Sequence, residues 1–158
     1  MENDPGKTLV LEQYKSLVGD VGNVGVRYAT ANGFYLSVLT ALMGVLAYVG
    51  TGKAIDEVPY PVVILVALFA RIICWIWGKT IAFYGRLFLA KFSLLKKLET
   101  ELEVATKVYT EETDLVYKDK DGHPLPGLTA HEARVPRILG WFFVVIAVIA
   151  ALLTVLTY

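Results

Sequence analysis

The sequence predicts an all-α membrane protein with three transmembrane helices, an N-terminal amphipathic helix and a long second helix that extends into the cytoplasm. Hydrophobic residues make up 56% of the 158 residues and charged residues only 19%, whereas soluble domains carry about 25% charged residues. The apolar residues are concentrated in three blocks, 32–50, 61–81 and 138–158. A helix of about 20 apolar residues crosses a bilayer, so each block is long enough to span one.

The first block, residues 32–50, contains no charged side chain. The residues before it include acidic side chains, whereas a secretory signal starts with a short basic region and ends in a small-residue cleavage site. We therefore expect a membrane helix that is retained. A buried helix of a soluble protein is the alternative, and two further blocks of similar length argue against it.

The second block begins at Pro59-Tyr60-Pro61, and proline suits the first turn of a helix because the missing N–H has no partner there. Near its end lie three side chains typical of the membrane–water interface, Trp75, Trp77 and Lys79. We expect these three to anchor the helix. The third block has no charge, and Pro136 is expected to mark the start of its helix.

Basic residues are distributed unevenly around the three blocks. Residues 1–31 contain three and residues 78–137 contain ten, whereas the connection 51–60 contains only Lys53. Because Lys and Arg are enriched on the cytoplasmic side, we expect the N-terminal segment and residues 82–137 in the cytoplasm. The connection and the C-terminus are then outside, and all 158 residues form one integral-membrane domain.

Apolar side chains recur at helical spacing through residues 7–31, which predicts a helix leading into the first span. Gly19, Gly22 and Gly25 interrupt this pattern at every third position. Each glycine weakens a helix by about 1 kcal/mol relative to alanine. Two interpretations stay open: the glycine face packs closely against another helix, or it forms a flexible joint.

The helical pattern continues beyond the second block, which predicts one helix from about Pro61 to about residue 105. Two neighbouring apolar stripes with heptad spacing follow it, Leu87, Leu94 and Leu98, and beside them Phe88, Leu95 and Leu102. The first stripe needs a partner, either the N-terminal helix or a neighbouring subunit. We therefore take its three leucines as candidate interface residues.

Residues 109–137 are more polar and rich in turn-forming residues. A short hairpin across Asp121-Gly122 is compatible with this composition. Residues 128–132 predict a short helix with Thr129 as its N-cap, because Glu132 follows three residues later as in a capping box.

Motifs for nucleotide, metal or disulfide chemistry are not complete in this sequence. The string Pro5-Gly6-Lys7-Thr8 lacks the upstream glycine and the preceding strand of a phosphate-binding loop. His123 and His131 have no acidic or thiol residues at metal-ligand spacing. Cys74 is the only cysteine, so it forms no disulfide within the chain. We expect no metal and no cofactor.

Composition also argues against an enzyme and against a nucleic-acid partner. No Ser/His/Asp or Cys/His arrangement stands out, and the acidic residues at 99–103 and 111–114 are expected to be solvated. Basic and acidic residues number 15 each, so the formal net charge is zero. A chain with this balance has no overall attraction for nucleic acid.

Arg71 is the only charged residue between Pro61 and Trp77, and it lies about 15 Å into the second helix. A charge near the bilayer centre costs at least about 2.5–3.5 kcal/mol, and the three blocks contain no Asp or Glu to pair with it. Two interpretations stay open. Either the side chain reaches the interface near Trp75 and Trp77, or it lines a water-filled lumen or polar subunit interface, which requires an oligomer.

Four stretches carry motifs in a characteristic order: Glu12-x-Tyr14-Lys15, Ala31-Asn32-Gly33-Phe34-Tyr35-Leu36, Lys91 to Glu99, and Thr129-x-x-Glu132-x-x-Val135-Pro136. They resemble motifs of the bacterial RipA-type octameric membrane proteins, although that family has charged residues where this chain has its three N-terminal glycines. The resemblance implies a homo-octamer in the bacterial inner membrane. The N-terminal motif is also similar to that of SLATT membrane proteins, pore-forming effectors of anti-phage defence.

Two functions fit these observations. The first is an oligomeric, pore- or channel-like assembly in which the second helix and its extension pack around an axis. The second is a non-conducting scaffold or sensor whose residues 78–137 bind a cytoplasmic partner protein. In both, the chain contacts membrane lipid and copies of itself, with Arg71, Leu87, Leu94 and Leu98 as pore or interface candidates.

Overall fold

The computed structural model describes residues 5–50, 60–102, 107–116 and 128–157. Within these ranges the chain forms five α-helices and no strand. The helices are α1 (Pro5–Gly50), α2 (Tyr60–Glu101), α3 (Val108–Val116), α4 (Leu128–Glu132) and α5 (Arg134–Thr157). The all-α class is confirmed, and α1, α2 and α5 are each long and apolar enough to cross a membrane.

Helix α1 joins the predicted N-terminal helix and the first span in one element of 46 residues. Its glycines do not break it. A Cβ atom built on Gly19, Gly22 or Gly25 would meet nothing within 4 Å, so no described part of the same chain packs closely on this face. Among the residues that the structure describes, none therefore covers the glycine face of α1.

Helix α2 confirms the predicted long second helix. Its 42 residues extend about 63 Å at 1.5 Å per residue, twice the thickness of a hydrocarbon core of about 30 Å. At least one end of α2 therefore projects beyond a bilayer. The helix ends at Glu101 rather than near residue 105, and the segment 103–106 lies outside the described residues.

Helix α5 begins at Arg134, so Pro136 lies in its first turn, as the sequence predicts. The Pro136 side chain is buried. Helix α4 begins at Leu128, so Thr129 lies inside the helix and the N-cap prediction for it is wrong. Helix α3 was not predicted, because its sequence is short and charged. The hairpin predicted at Asp121-Gly122 lies outside the described residues.

The chain divides into two compact units. Unit A comprises residues 1–28 and 82–131, and unit B comprises residues 29–81 and 132–158. The core of unit B contains mostly small and aromatic side chains from α1, α2 and α5, listed in chain order as Leu39, Ala67, Ala70, Cys74, Trp77, Ile81, Phe143, Ala147 and Ala150. In unit A, Val24 of α1 and Leu95 and Glu99 of α2 are buried.

Two contacts between helices lie at glycines of α2. In unit B, Gly78 of α2 faces Pro136 of α5, whose Cγ would lie 3.9 Å from a Cβ at Gly78. In unit A, a Cβ at Gly85 of α2 would lie 3.1 Å from the Thr129 hydroxyl of α4. A methyl group at Gly85 would therefore require the Thr129 side chain to shift by a few tenths of an ångström.

Candidate functional sites at the helix contacts

Glu99 is a buried acidic residue in the middle of unit A, with only 1% of its surface exposed. Its Oε1 atom accepts hydrogen bonds from the Tyr109 backbone N–H at 2.8 Å and from the Tyr14 hydroxyl at 3.4 Å. Its Oε2 atom accepts from the Thr110 backbone N–H at 3.2 Å and from the Thr110 hydroxyl at 3.0 Å. One carboxylate therefore connects α1, α2 and α3.

This carboxylate serves as the N-terminal cap of α3. The first backbone N–H groups of a helix have no intrahelical acceptor and carry a partial positive charge. Lys107, which precedes α3, has no side-chain oxygen to accept these hydrogen bonds. Glu99 supplies the acceptor from another helix, so we attribute the position of α3 on α2 to this side chain.

The surroundings of Glu99 also act on Tyr14. Burial raises the pKa of the Tyr14 hydroxyl, and the nearby Glu99 carboxylate and Tyr109 ring add to the shift. A tyrosine with a raised pKa stays protonated beyond pH 10 and keeps its hydrogen bond to Glu99. The Tyr14 and Tyr109 rings meet edge-on, with centroids 6.3 Å apart.

The burial of Glu99 contradicts the expectation that the acidic residues at 99–103 are solvated. Glu101, two residues away, is exposed as expected. The difference arises because Glu99 follows Leu95 by four residues on the Phe88, Leu95 and Leu102 stripe and so points into unit A. The position of Glu99 on an apolar stripe is the feature of the sequence that could have predicted its burial.

Trp77 forms a second polar contact, in unit B. Its indole N–H donates to Asn32 Oδ1 of α1 at 2.7 Å. The Tyr35 ring stacks on it with centroids 6.1 Å apart. Because the Thr80 hydroxyl donates to the Ile76 carbonyl, Tyr35 is the donor in its 3.1 Å hydrogen bond with Thr80. This arrangement joins the start of the first apolar block to α2.

Trp77 therefore differs from the expected interfacial anchor, since only 4% of it is exposed and its N–H already has an acceptor in the chain. Trp75 is 57% exposed, and the Lys79 ammonium lies 5.7 Å from its ring centroid. Residues two apart on a helix point in directions about 160° different, so one tryptophan faces inward and the other outward. The anchoring roles of Trp75 and Lys79 stay predictions.

Replacing Trp77 by phenylalanine should remove the indole N–H that donates to Asn32 Oδ1. We expect a loss of about 1–2 kcal/mol and a melting temperature lower by about 2–8 °C, measured by thermal unfolding in detergent. Trp75→Phe is the matched control and should stay within about 0.5 kcal/mol of the parent. Equal melting temperatures for the two variants would contradict the role given to Trp77.

Arg71 lies at the contact of α2 with α5 and is half-buried. A Cβ at Gly140 would lie 3.3 Å from Arg71 Cδ, 3.5 Å from Arg71 Nε and 3.4 Å from Cys74 Cβ. Because Gly140 has no side chain, the aliphatic part of the Arg71 side chain fits against α5. Among the described residues, no hydrogen bond or ion pair reaches the guanidinium group.

The contact with Gly140 gives a second estimate of how deep Arg71 lies in the membrane. Gly140 lies three residues past Arg137, about 4.5 Å along α5. Counting from Pro61 instead places Arg71 about 15 Å into α2. Measured along α5, Arg71 therefore lies nearer to the charged end of the span, at Arg137, than to the centre of the span.

The leucine stripe proposed as an interface is partly uncovered in the single chain. Leu94 is 48% exposed, and Leu87 and Leu98 are half-buried. The neighbouring stripe, with Leu95, faces the core of unit A instead. The described residues therefore cover these three leucines only in part.

The other candidate groups show no site in the described parts of the chain. Residues Pro5–Thr8 begin α1, so they do not form a loop after a strand. No cluster of three metal-binding side chains occurs among the residues that the structure describes. His131 lies in α4, whereas His123 is outside the described residues.

The motifs singled out in the sequence supply residues to four of these contacts. Tyr14 meets Glu99, and Asn32 meets Trp77. Thr129 lies against Gly85, and Pro136 lies against Gly78. The motif residues thus lie at contacts between helices.

Three apolar helices that can span a bilayer define a multi-span α-helical membrane protein. The Trp77–Asn32 hydrogen bond links α1 to α2, and α5 packs on α2 at Gly140. The chain belongs to the octameric membrane protein family (8xMP), whose family model matches residues 11–156. This is the family that the sequence motifs indicated. Neither the curated proteins nor the solved structures contain a match to the chain.

Proposed function

We propose that the protein is a homo-octamer of the bacterial inner membrane that encloses a water-filled, anion-preferring passage. Unit A and the N-terminus lie in the cytoplasm and the C-terminus lies outside, as the distribution of basic residues predicts. In this proposal the assembly conducts ions and has no catalytic role. The observation that carries this proposal is Arg71, a charged group within a span that has no partner among the described residues.

An unpartnered guanidinium in a membrane protein needs water, lipid phosphate or a neighbouring subunit. The contact with Gly140 holds the stem of Arg71 against α5, near one end of the span. Eight copies around an axis would place a ring of positive charge there. Such rings attract anions and repel cations.

A different face of α2 is available for contact with neighbours. Four large apolar side chains lie on it at spacings of four, three and four residues, Leu65, Phe69, Ile72 and Ile76. Each is more than 40% exposed in the single chain. Arg71 and Phe69 point in directions about 160° apart around the helix. One side of α2 can therefore pack against lipid or a neighbouring subunit while Arg71 faces the passage.

The test combines particle size with ion flux. The purified protein in nanodiscs should have the mass of an octamer, and liposomes containing it should pass chloride faster than potassium. Arg71→Glu should reverse this preference while the octamer persists, because eight carboxylates would replace eight guanidinium groups.

Lys79→Glu makes the same charge change on an exposed position of α2 and should leave the selectivity as it was. Unchanged selectivity in Arg71→Glu would contradict the role of Arg71. An octamer without flux would exclude the passage and favour the second candidate, a non-conducting scaffold or sensor. The observation in favour of that candidate is the separate core of unit A, organised around Glu99, which makes it a compact platform for a partner protein.

A further inference from the structure

An apolar groove lies between the three spans of unit B, at the C-terminal end of α1. Leu39 is the last residue of α1 that is buried in the described chain, whereas α5 still buries Ala147 and Ala150. Helix α1 is therefore packed less closely than α5 at this end of the spans. The space left there is the groove, which residues of α1, α2 and α5 line.

The groove is long and narrow. Its volume is about 470 Å³. The residues that line it on α5 extend from Phe142 to Leu153, which is about 16 Å at 1.5 Å per residue. Dividing the volume by this length gives a mean cross-section of about 30 Å², equivalent to a cylinder about 6 Å wide.

The lining of the groove is apolar apart from one hydroxyl. Among the described residues that line it, none is charged, and only Tyr60 has a polar group on its side chain. Tyr60 is the first residue of α2, and tyrosine is enriched where a span meets the polar surface of a bilayer. One end of the groove therefore lies near the membrane–water interface.

The groove opens sideways onto the exposed apolar surface of the spans. Met43 on one side of it is 39% exposed, and Ile149 on the other side is 52% exposed. In a membrane protein such a surface meets the hydrocarbon of the bilayer. The groove is continuous with this surface, so lipid chains have direct access to it.

The dimensions of the groove select its occupant. An empty groove is unfavourable, because its lining side chains would lose van der Waals contacts, and water would find few polar partners there. A helix with its side chains is about 10–12 Å wide, too wide to enter. An unbranched hydrocarbon chain is narrow enough, and one leaflet of a hydrocarbon core of about 30 Å matches the length of the groove.

We propose that the groove binds one acyl chain of a phospholipid, taken from the leaflet around the C-terminal end of α1. The lipid head group then lies near Tyr60, whose hydroxyl can donate a hydrogen bond to an ester or phosphate oxygen. This inference goes beyond the proposed function and requires neither the octamer nor the passage.

Native mass spectrometry of the full-length protein in detergent tests whether a phospholipid stays bound after extraction. The parent protein should retain a phospholipid on each chain. Ala47→Trp should lose it, because Ala47 lines the groove and an indole ring there would take the place of the acyl chain. Ala41→Trp is the matched control and should retain the lipid, because Ala41 is exposed on the same helix but does not line the groove.

Photolabelling locates the acyl chain in the unmodified protein. Nanodiscs of phosphatidylcholine would include a phosphatidylcholine with a diazirine group midway along one acyl chain. Illumination should attach this lipid to Ile146 and Ile149, which line the groove, more often than to Val148 and Leu152. Those two residues are 53% and 60% exposed on α5 outside the groove and report ordinary contact with the bilayer.

The two measurements can overturn the inference independently. A parent protein that retains no phospholipid or only detergent would contradict it, and so would equal retention by the Ala47 and Ala41 variants. If Ala47→Trp did not fold, labelling that is strongest at Val148 and Leu152 would still overturn the inference. A monomeric mass with the lipid retained would contradict the octamer of the proposed function and leave the lipid site standing.

Discussion

Glu99→Ala should release α3 from the rest of unit A. The substitution removes the acceptor of two backbone N–H groups and two hydroxyls. Hydroxyls can turn to other acceptors, but the N–H groups of Tyr109 and Thr110 cannot. Hydrogen bonds to a charged group contribute about 1.5–3 kcal/mol each, so we expect a loss of about 3 kcal/mol in the stability of α3.

Hydrogen exchange measures this loss directly. A decrease of about 3 kcal/mol in the opening free energy corresponds to amide exchange about 100-fold faster at Tyr109 and Thr110. Glu101→Ala, two residues along the same helix but exposed, should leave the exchange rates within about twofold of the parent. If the Glu99 variant exchanged no faster than the Glu101 variant, Glu99 would not be the cap of α3.

Gly140→Leu should separate α2 from α5. Even a Cβ atom at Gly140 would lie only 3.3–3.4 Å from Arg71 Cδ and Cys74 Cβ, and leucine adds three more carbons in the same place. Overpacking of this kind costs about 1–3 kcal/mol or more, which corresponds to a melting temperature about 2–12 °C lower. Gly140→Ala should have a smaller effect, because the flexible stem of Arg71 can shift by a few tenths of an ångström.

Gly44→Leu is the matched control for this prediction. Gly44 is an exposed glycine of α1, and a Cβ there meets nothing within 4 Å. Leucine favours a helix over glycine by about 0.8–1 kcal/mol, so this variant should be as stable as the parent or slightly more stable. Equal destabilisation by the Gly44 and Gly140 substitutions would exclude a specific contact at Gly140.

Hydropathy and periodicity were sufficient to predict the elements that depend on local sequence. The uncharged block at 32–50 and the helical pattern before it predicted the continuous α1. The heptad pattern after Lys79 predicted that α2 continues far beyond a single span. These elements were predictable because each is specified by its own residues over many turns.

The parts that the sequence did not reveal depend on contacts between distant residues. Helix α3 has only nine residues, and its cap comes from Glu99 on another helix. Trp75 and Trp77 are the same residue type two positions apart, and only the packing of α2 against distant residues shows that Trp77 is buried and Trp75 is exposed. The depth of Arg71 similarly depends on which residue of α5 lies opposite it.

The single cysteine, Cys74, can serve as a natural probe of the packing between α2 and α5. Cys74 has a free thiol, is 2% exposed and lies against Gly140. A membrane-permeant maleimide can therefore modify it only when α2 and α5 move apart. The rate of modification in intact cells reports how often the spans separate, with no engineered label and no extraction from the lipid.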